Sequence, residues 1–204
     1  MATTEKSYRA ATGVDEFYYA VLTSETDTSI ATGEINRVKF LQEIEVEMPQ
    51  EAVRAYGDNK TAEIAVAGGD ISVKTTFHKV PIEDKNILFG LEKVDGISAV
   101  SGTDVPPYVA VIFTKTYEDG SKEWVGLPKG IFMRSKITGK TKEDKTEFEN
   151  EEVTGEFMER FVDGFSTQKS VLFGMDKKGQ TTNRDALFMK IFGKAYPGSV
   201  PQGA

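Results

Sequence analysis

From Glu43 to Met48 the chain alternates without exception, with Glu43, Glu45 and Glu47 interleaved with Ile44, Val46 and Met48. Successive side chains of a β-strand point to opposite faces, so this hexamer specifies a strand with one apolar face and one row of carboxylates. Pro49 ends it, because proline has no N–H to give to a ladder. A chain built around such a strand needs a sheet to pair it. It also needs a use, or at least tolerance, for concentrated negative charge on one sheet face.

Further strands follow from composition and punctuation. Phe17 to Leu22 and Tyr108 to Phe113 are dense apolar runs, short enough for strands buried on both faces. Ile71, Val73, Thr75 and Phe77 alternate with polar neighbours, and Gly68-Gly69 reads as the hairpin turn joining them to a strand over Ala62 to Ala67. Glu118-Asp119-Gly120-Ser121 predicts a second turn, returning through Trp124 to Leu127. More strands are expected at Gly130 to Thr138, Val153 to Val162 and Ser170 to Gly174. Pro81, with Glu83 and Asp84 behind it, opens a short helix that ends near Gly90, with Ile82, Ile87, Leu88 and Leu91 as its stripe. Asn183 is placed as the N-cap of a last helix, Arg184 to Phe192, burying Leu187, Phe188, Ile191 and Phe192. The sum is a mainly β fold, a sandwich or barrel with one flanking helix and a short C-terminal helix. One domain over 13–193 is expected between a flexible arm, 1–12, and a flexible tail, 194–204.

Thr23 to Gly33, Gln50 to Lys60 and Glu92 to Asp104 read as polar loops, with Glu51 to Tyr56 able to form a turn or two of helix. The 204 residues are 39% hydrophobic and 28% charged, with 13 Phe and 7 Tyr, which is enough to build a core. Phe17, Tyr18, Tyr19, Tyr108, Phe132, Phe157 and Phe161 lie inside strand patterns and are assigned to it.

Several function classes lose their chemistry. The net charge of −7 argues against a protein that grips nucleic acid, whose affinity comes from clustered Lys and Arg. No cysteine is present, which removes thiol catalysis, disulfides and Cys-based metal sites. The one histidine, His78, falls on the polar face beside Lys74 and Thr76, without a nucleophile motif, and reads as a surface residue. No calcium loop and no phosphate loop occur, so no metal, cofactor or catalytic residue is assigned. Glu43, Glu45 and Glu47 stand roughly 7 Å apart along their strand. That approaches the spacing of paired acids in inverting glycosidases, but nothing supplies the neighbours such chemistry needs. The polar N-terminus and the absence of a long apolar run lead to the expectation of a soluble protein made and used inside the cell.

Five segments occur in a telling order: Glu45-Val46-Glu47-Met48-Pro49, Tyr56-Gly57-Asp58-Asn59-Lys60, Val80-Pro81-Ile82-Glu83-Asp84, Val105-Pro106-Pro107-Tyr108-Val109-Ala110-Val111-Ile112, and Val153-Thr154-Gly155-Glu156-Phe157-Met158. Over about residues 12 to 193 this order resembles the major tail proteins, or tail tube proteins, of siphophages infecting Gram-positive bacteria. The resemblance implies the phage tail tube fold and a structural virion protein without enzymatic activity, assembled in the host cytoplasm as stacked hexameric rings. Its partners would be other copies of itself, the tape measure protein, the tail terminator and distal tail proteins. DNA would be a non-specific passenger, and no membrane insertion is implied. Glu43, Glu45 and Glu47 then become candidates for an acidic wall facing the lumen. Gln50, Arg54, Tyr56, Asp58, Asn59 and Lys60 become candidates for an inter-ring stacking loop. Three rival readings stay open: a β-sandwich module of a virion binding carbohydrate or protein, a secretion-system tube protein and, last in order, an enzyme.

Overall fold

Two apolar runs, each buried on both faces, set the architecture of the computed structural model, which describes residues 9–26, 29–57, 60–139, 141 and 149–198. Strand β1 (Ala11–Glu25) is followed by the short strands β2 (Ile30–Thr32) and β3 (Asn36–Val38), both of which pair with it. Strand β4 (Leu41–Glu47) carries the alternating glutamates. It is followed by β5 (Gln50–Gly57), β6 (Lys60–Gly68) and β7 (Ile71–Phe77). Helix α1 (Ile82–Phe89) and a small hairpin, β8 (Glu92–Val94) and β9 (Ile97–Ala99), precede β10 (Val109–Tyr117) and β11 (Lys122–Met133). Strands β12 (Glu151–Phe157) and β13 (Leu172–Asp176) and helix α2 (Thr182–Phe192) complete the order.

Strands β1 and β10 pair antiparallel, with Phe17 opposite Phe113 and Tyr19 opposite Val111. Alternate residues of both strands therefore enter different cores. Phe17, Tyr19, Val109, Val111 and Phe113 join the larger core, which also takes Val73, Phe77, Val153 and Phe157 from β7 and β12, and Leu88 and Phe89 from α1. Tyr18, Ala20, Ala110 and Ile112 face the other way, onto Leu187, Phe188, Ile191 and Phe192 of α2. Long strand β11 links the two halves of the sheet: Lys122 to Gly126 pair with β13, and Gly130 to Met133 pair with β12. Beyond β12 the order is β7 and then β4.

Helix α2 lies close on β11 because Gly126 has no side chain; a Cβ there would stand 2.8 Å from Ile191 Cγ1. The far end of α2 is held by Arg160, buried at 4% exposure. Its guanidinium donates to the carbonyls of Lys190 (3.1 Å) and Ile191 (3.4 Å), and to that of Pro128 on β11 (3.2 Å). Those helix-end carbonyls have no partner within the helix, so the cation meets an existing need.

The mainly β class, the two helices and the four buried residues of α2 follow the sequence expectation. Several local expectations do not. Gly68-Gly69 is no hairpin turn, because β6 pairs with β5 and β7 pairs with β4. The Gly69 N–H instead donates to the Pro49 carbonyl (2.9 Å), so β4–β7 and β5–β6 follow one another as one long bent hairpin. Residues 50–57 and 60 are strand rather than loop or helix. The Thr23 to Gly33 and Glu92 to Asp104 segments contain short strands. Tyr108 and Phe161 stay half exposed, and so does Ile82, whose place in the core Phe89 takes. Strand β1 begins at Ala11, inside the expected arm. Tyr196, in the expected tail, packs against Phe188 with ring centroids 5.1 Å apart.

Candidate assembly surface

The outer faces of β4, β7 and β12 form one continuous surface. Glu43, Glu45 and Glu47 all point out of the sheet and are exposed, as their alternation predicts. The register sets Glu43 opposite Thr76, Glu45 opposite Lys74, and Glu47 opposite Ser72. On the other side of β7, Glu152 lies opposite Thr76 and Glu156 opposite Ser72. Five glutamates from two strands thus flank the one ammonium of Lys74 on β7.

Lys74 Nζ sits 3.0 Å from Glu152 Oε2, and the Ser72 hydroxyl donates to Glu47 Oε2 at 3.1 Å. Glu152, with weaker contributions from Glu45 and Glu43, pushes the Lys74 ammonium above the ordinary lysine value, so it stays charged at neutral pH. Glu152 and Glu156 carry the same signal as the first three, alternating with Val153 and Phe157. What the sequence does not display is that β7 brings β12 beside β4.

The stacking candidates lie elsewhere. Gln50, Arg54 and Tyr56 are on β5 and Lys60 opens β6, in a separate two-stranded sheet continuing from the acidic hairpin. Asp58 and Asn59 lie outside the described residues. His78 follows β7 and is exposed, its backbone N–H donating to the Phe40 carbonyl at 3.1 Å.

A second cluster joins β1 to the C-terminal segment. Glu16, at 8% exposure, accepts from the Tyr18 hydroxyl (2.6 Å), the Tyr196 hydroxyl (3.0 Å) and Lys122 Nζ (2.7 Å). Burial pushes its carboxyl up, but these donors outweigh burial and hold it below the ordinary glutamate value. Burial and the Glu16 carboxylate push the Tyr18 phenol up, so it remains a donor. Arg184 covers the Tyr196 ring, 3.9 Å from its centroid. Every charged group in this cluster is committed to holding the chain together.

Among the described residues no group of three or more His, Cys, Asp or Glu side chains could hold a metal ion, and no helix is long and apolar enough to cross a membrane. The described residues thus present a sheet with a charged outer face, continued by a separate two-stranded ribbon. The chain belongs to the phage tail tube protein family, which matches residues 46–197. It is a structural protein of the bacteriophage virion tail. No curated protein sequence matches it. Among solved structures, a chain of the anti-feeding prophage baseplate, determined by cryo-EM with 6-fold symmetrisation, is similar at 7% identity and a TM-score of 0.42. The likeness covers 88% of this chain and 100% of that one.

Proposed function

We propose that this chain polymerises as stacked hexameric rings into a tail tube that conducts the phage genome, with the acidic face of β4, β7 and β12 turned to the bore. The observation that carries the reading is that face: Glu43, Glu45, Glu47, Glu152 and Glu156 against a single Lys74. DNA binding draws on cations that displace counterions from phosphates, and a carboxylate wall reverses that interaction. Repeated around a ring, it lets a duplex pass without adhering.

The other role falls to the ribbon of β5 and β6, with Gln50, Arg54, Tyr56, Asp58, Asn59 and Lys60 at the inter-ring stacking contact. Head-to-tail contacts between identical subunits do not close, so a filament is their natural product. The tape measure protein, the tail terminator and distal tail proteins are the partners inside and at the two ends. Assembly takes place in the host cytoplasm, and the role calls for no catalytic group or cofactor.

Negative-stain electron microscopy of the purified protein at rising concentration tests the reading. Rings of six-fold symmetry, stacking into tubes, are expected; a monomer at every concentration overturns it. Phage carrying Glu43→Lys, Glu45→Lys and Glu47→Lys together should build tubes but eject DNA slowly, and unchanged ejection removes the acidic face from the bore.

A further inference from the structure

The sheet is open between its edge strands β4 and β13, and the opening is a groove lined mainly by apolar side chains. Val46 of β4, Met48 just after that strand, Phe113 of β10, Val125 of β11 and Phe173 of β13 line it, with Lys115 among them. Met48 is 51% exposed and Phe173 57%. Lys115 makes no ion pair among the described residues.

The ribbon has the converse surface. Glu51 lies opposite Ala67 and Val53 opposite Ala65, with Glu63 two residues before Ala65 on the same strand. These residues share one face, small and apolar in the middle with a carboxylate toward each end. Glu51, Val53, Glu63, Ala65 and Ala67 are all exposed, Val53 at 59%. A two-stranded ribbon is marginal in water by itself, and an uncovered apolar face needs a partner.

We infer that the groove beneath β4 receives the β5–β6 ribbon of a second copy of this chain. Small side chains on the ribbon admit the large Met48 and Phe173, and an acidic end of the ribbon face meets Lys115. A chain's own ribbon does not serve. It leaves at Pro49 from the strand that lines the groove, and the Gly69-to-Pro49 hydrogen bond carries it onward as a continuation of β4 and β7. The inference rests on the self-assembly proposed above and names the surface that receives the ribbon.

The chain has no cysteine, so an engineered pair reports without background. Val53→Cys and Phe173→Cys, made in separate chains and mixed under mild oxidation, should give a disulfide dimer once the protein assembles. Phe173→Cys mixed with Ile97→Cys should give none. Lys115→Glu should raise the concentration needed for assembly about tenfold, because it sets like charges together. Adding Glu51→Lys and Glu63→Lys should restore assembly to within about threefold of wild type. Wild-type tubes without the Val53–Phe173 cross-link overturn the inference and leave the tube reading standing. A cross-link formed within single doubly substituted chains at high dilution also overturns it. Wild-type protein that never assembles removes both.

Discussion

Asp176 on β13 closes the first turn of α2 by accepting the Arg184 backbone N–H at 2.9 Å. Its other carboxylate oxygen accepts the Asn183 N–H, also at 2.9 Å. The cap therefore comes from a strand six residues and a turn away, rather than from the helix's own leading residue. Asp176 is 2% exposed, so its removal leaves two helix-end donors without an acceptor. Asp176→Ala should cost about 1–2 kcal/mol of stability. Urea unfolding followed by the fluorescence of Trp124, which packs against Phe188 under this helix, measures it directly.

Glu16 makes stability depend on pH, and its sign follows from its partners. Lys122, Tyr18 and Tyr196 hold its folded-state carboxyl below the ordinary value of about 4.5, so the unfolded chain takes up its proton first. The contribution is complete above that ordinary value and is lost as pH falls from there through the folded value. Glu151, held low by Lys85 and the Val80 N–H against its own burial, acts in the same direction. Glu16→Gln should therefore be less stable than wild type at pH 7, with the difference shrinking toward pH 3. Urea midpoints across that range measure it, and a constant difference would show that the carboxylate charge contributes nothing.

Phe40 turns the corner between β3 and β4 with a positive φ of 64°, while its ring is 73% exposed. A bulky side chain in left-handed backbone is strained, and no burial of the ring offsets that strain in the single subunit. Phe40→Asn should raise the stability of the subunit by about 0.5–1 kcal/mol, since asparagine tolerates this conformation. A parallel loss of tube formation would place the Phe40 ring at a contact between copies.

What could be read from the sequence was whatever depends on near neighbours. The alternation in Glu43–Met48 and Ile71–Phe77 fixes which side chains share a face. The unbroken runs at Phe17 and Val109 announce strands buried on both sides. Pairing partners are another matter, because hydrogen-bond ladders join distant segments. Gly68-Gly69 has the composition of a tight turn, yet the strand after it pairs with β4, beyond the intervening ribbon. Asn183 has the right chemistry for a cap, but the helix starts at Thr182, so Asn183 lies inside it and the Asp176 carboxylate takes that part. The acidic face was half visible for the same reason: the first three glutamates are adjacent in the chain, while Glu152 and Glu156 join them only through β7. Tyr196 follows a helix end and precedes proline, which resembles a loose tail until the Glu16 carboxylate and Phe188 ring are set beside it.

The ribbon offers the cleanest separation of folding from assembly. β5 and β6 form their own sheet, and Val53, Ile64 and Val66, each more than half exposed, pack into neither core. Replacing residues 52–66 by a two-residue Asn-Gly turn keeps the β4–β7 ladder and the Gly69-to-Pro49 hydrogen bond while removing the projecting surface. The shortened subunit should unfold within a few degrees of wild type, since no core residue is lost. It should nevertheless fail to form tubes, remaining as subunits or single rings in sedimentation velocity and electron micrographs. Tubes of normal length from the shortened chain would take the ribbon out of assembly altogether. A large drop in melting temperature would show that it supports the fold of the single subunit.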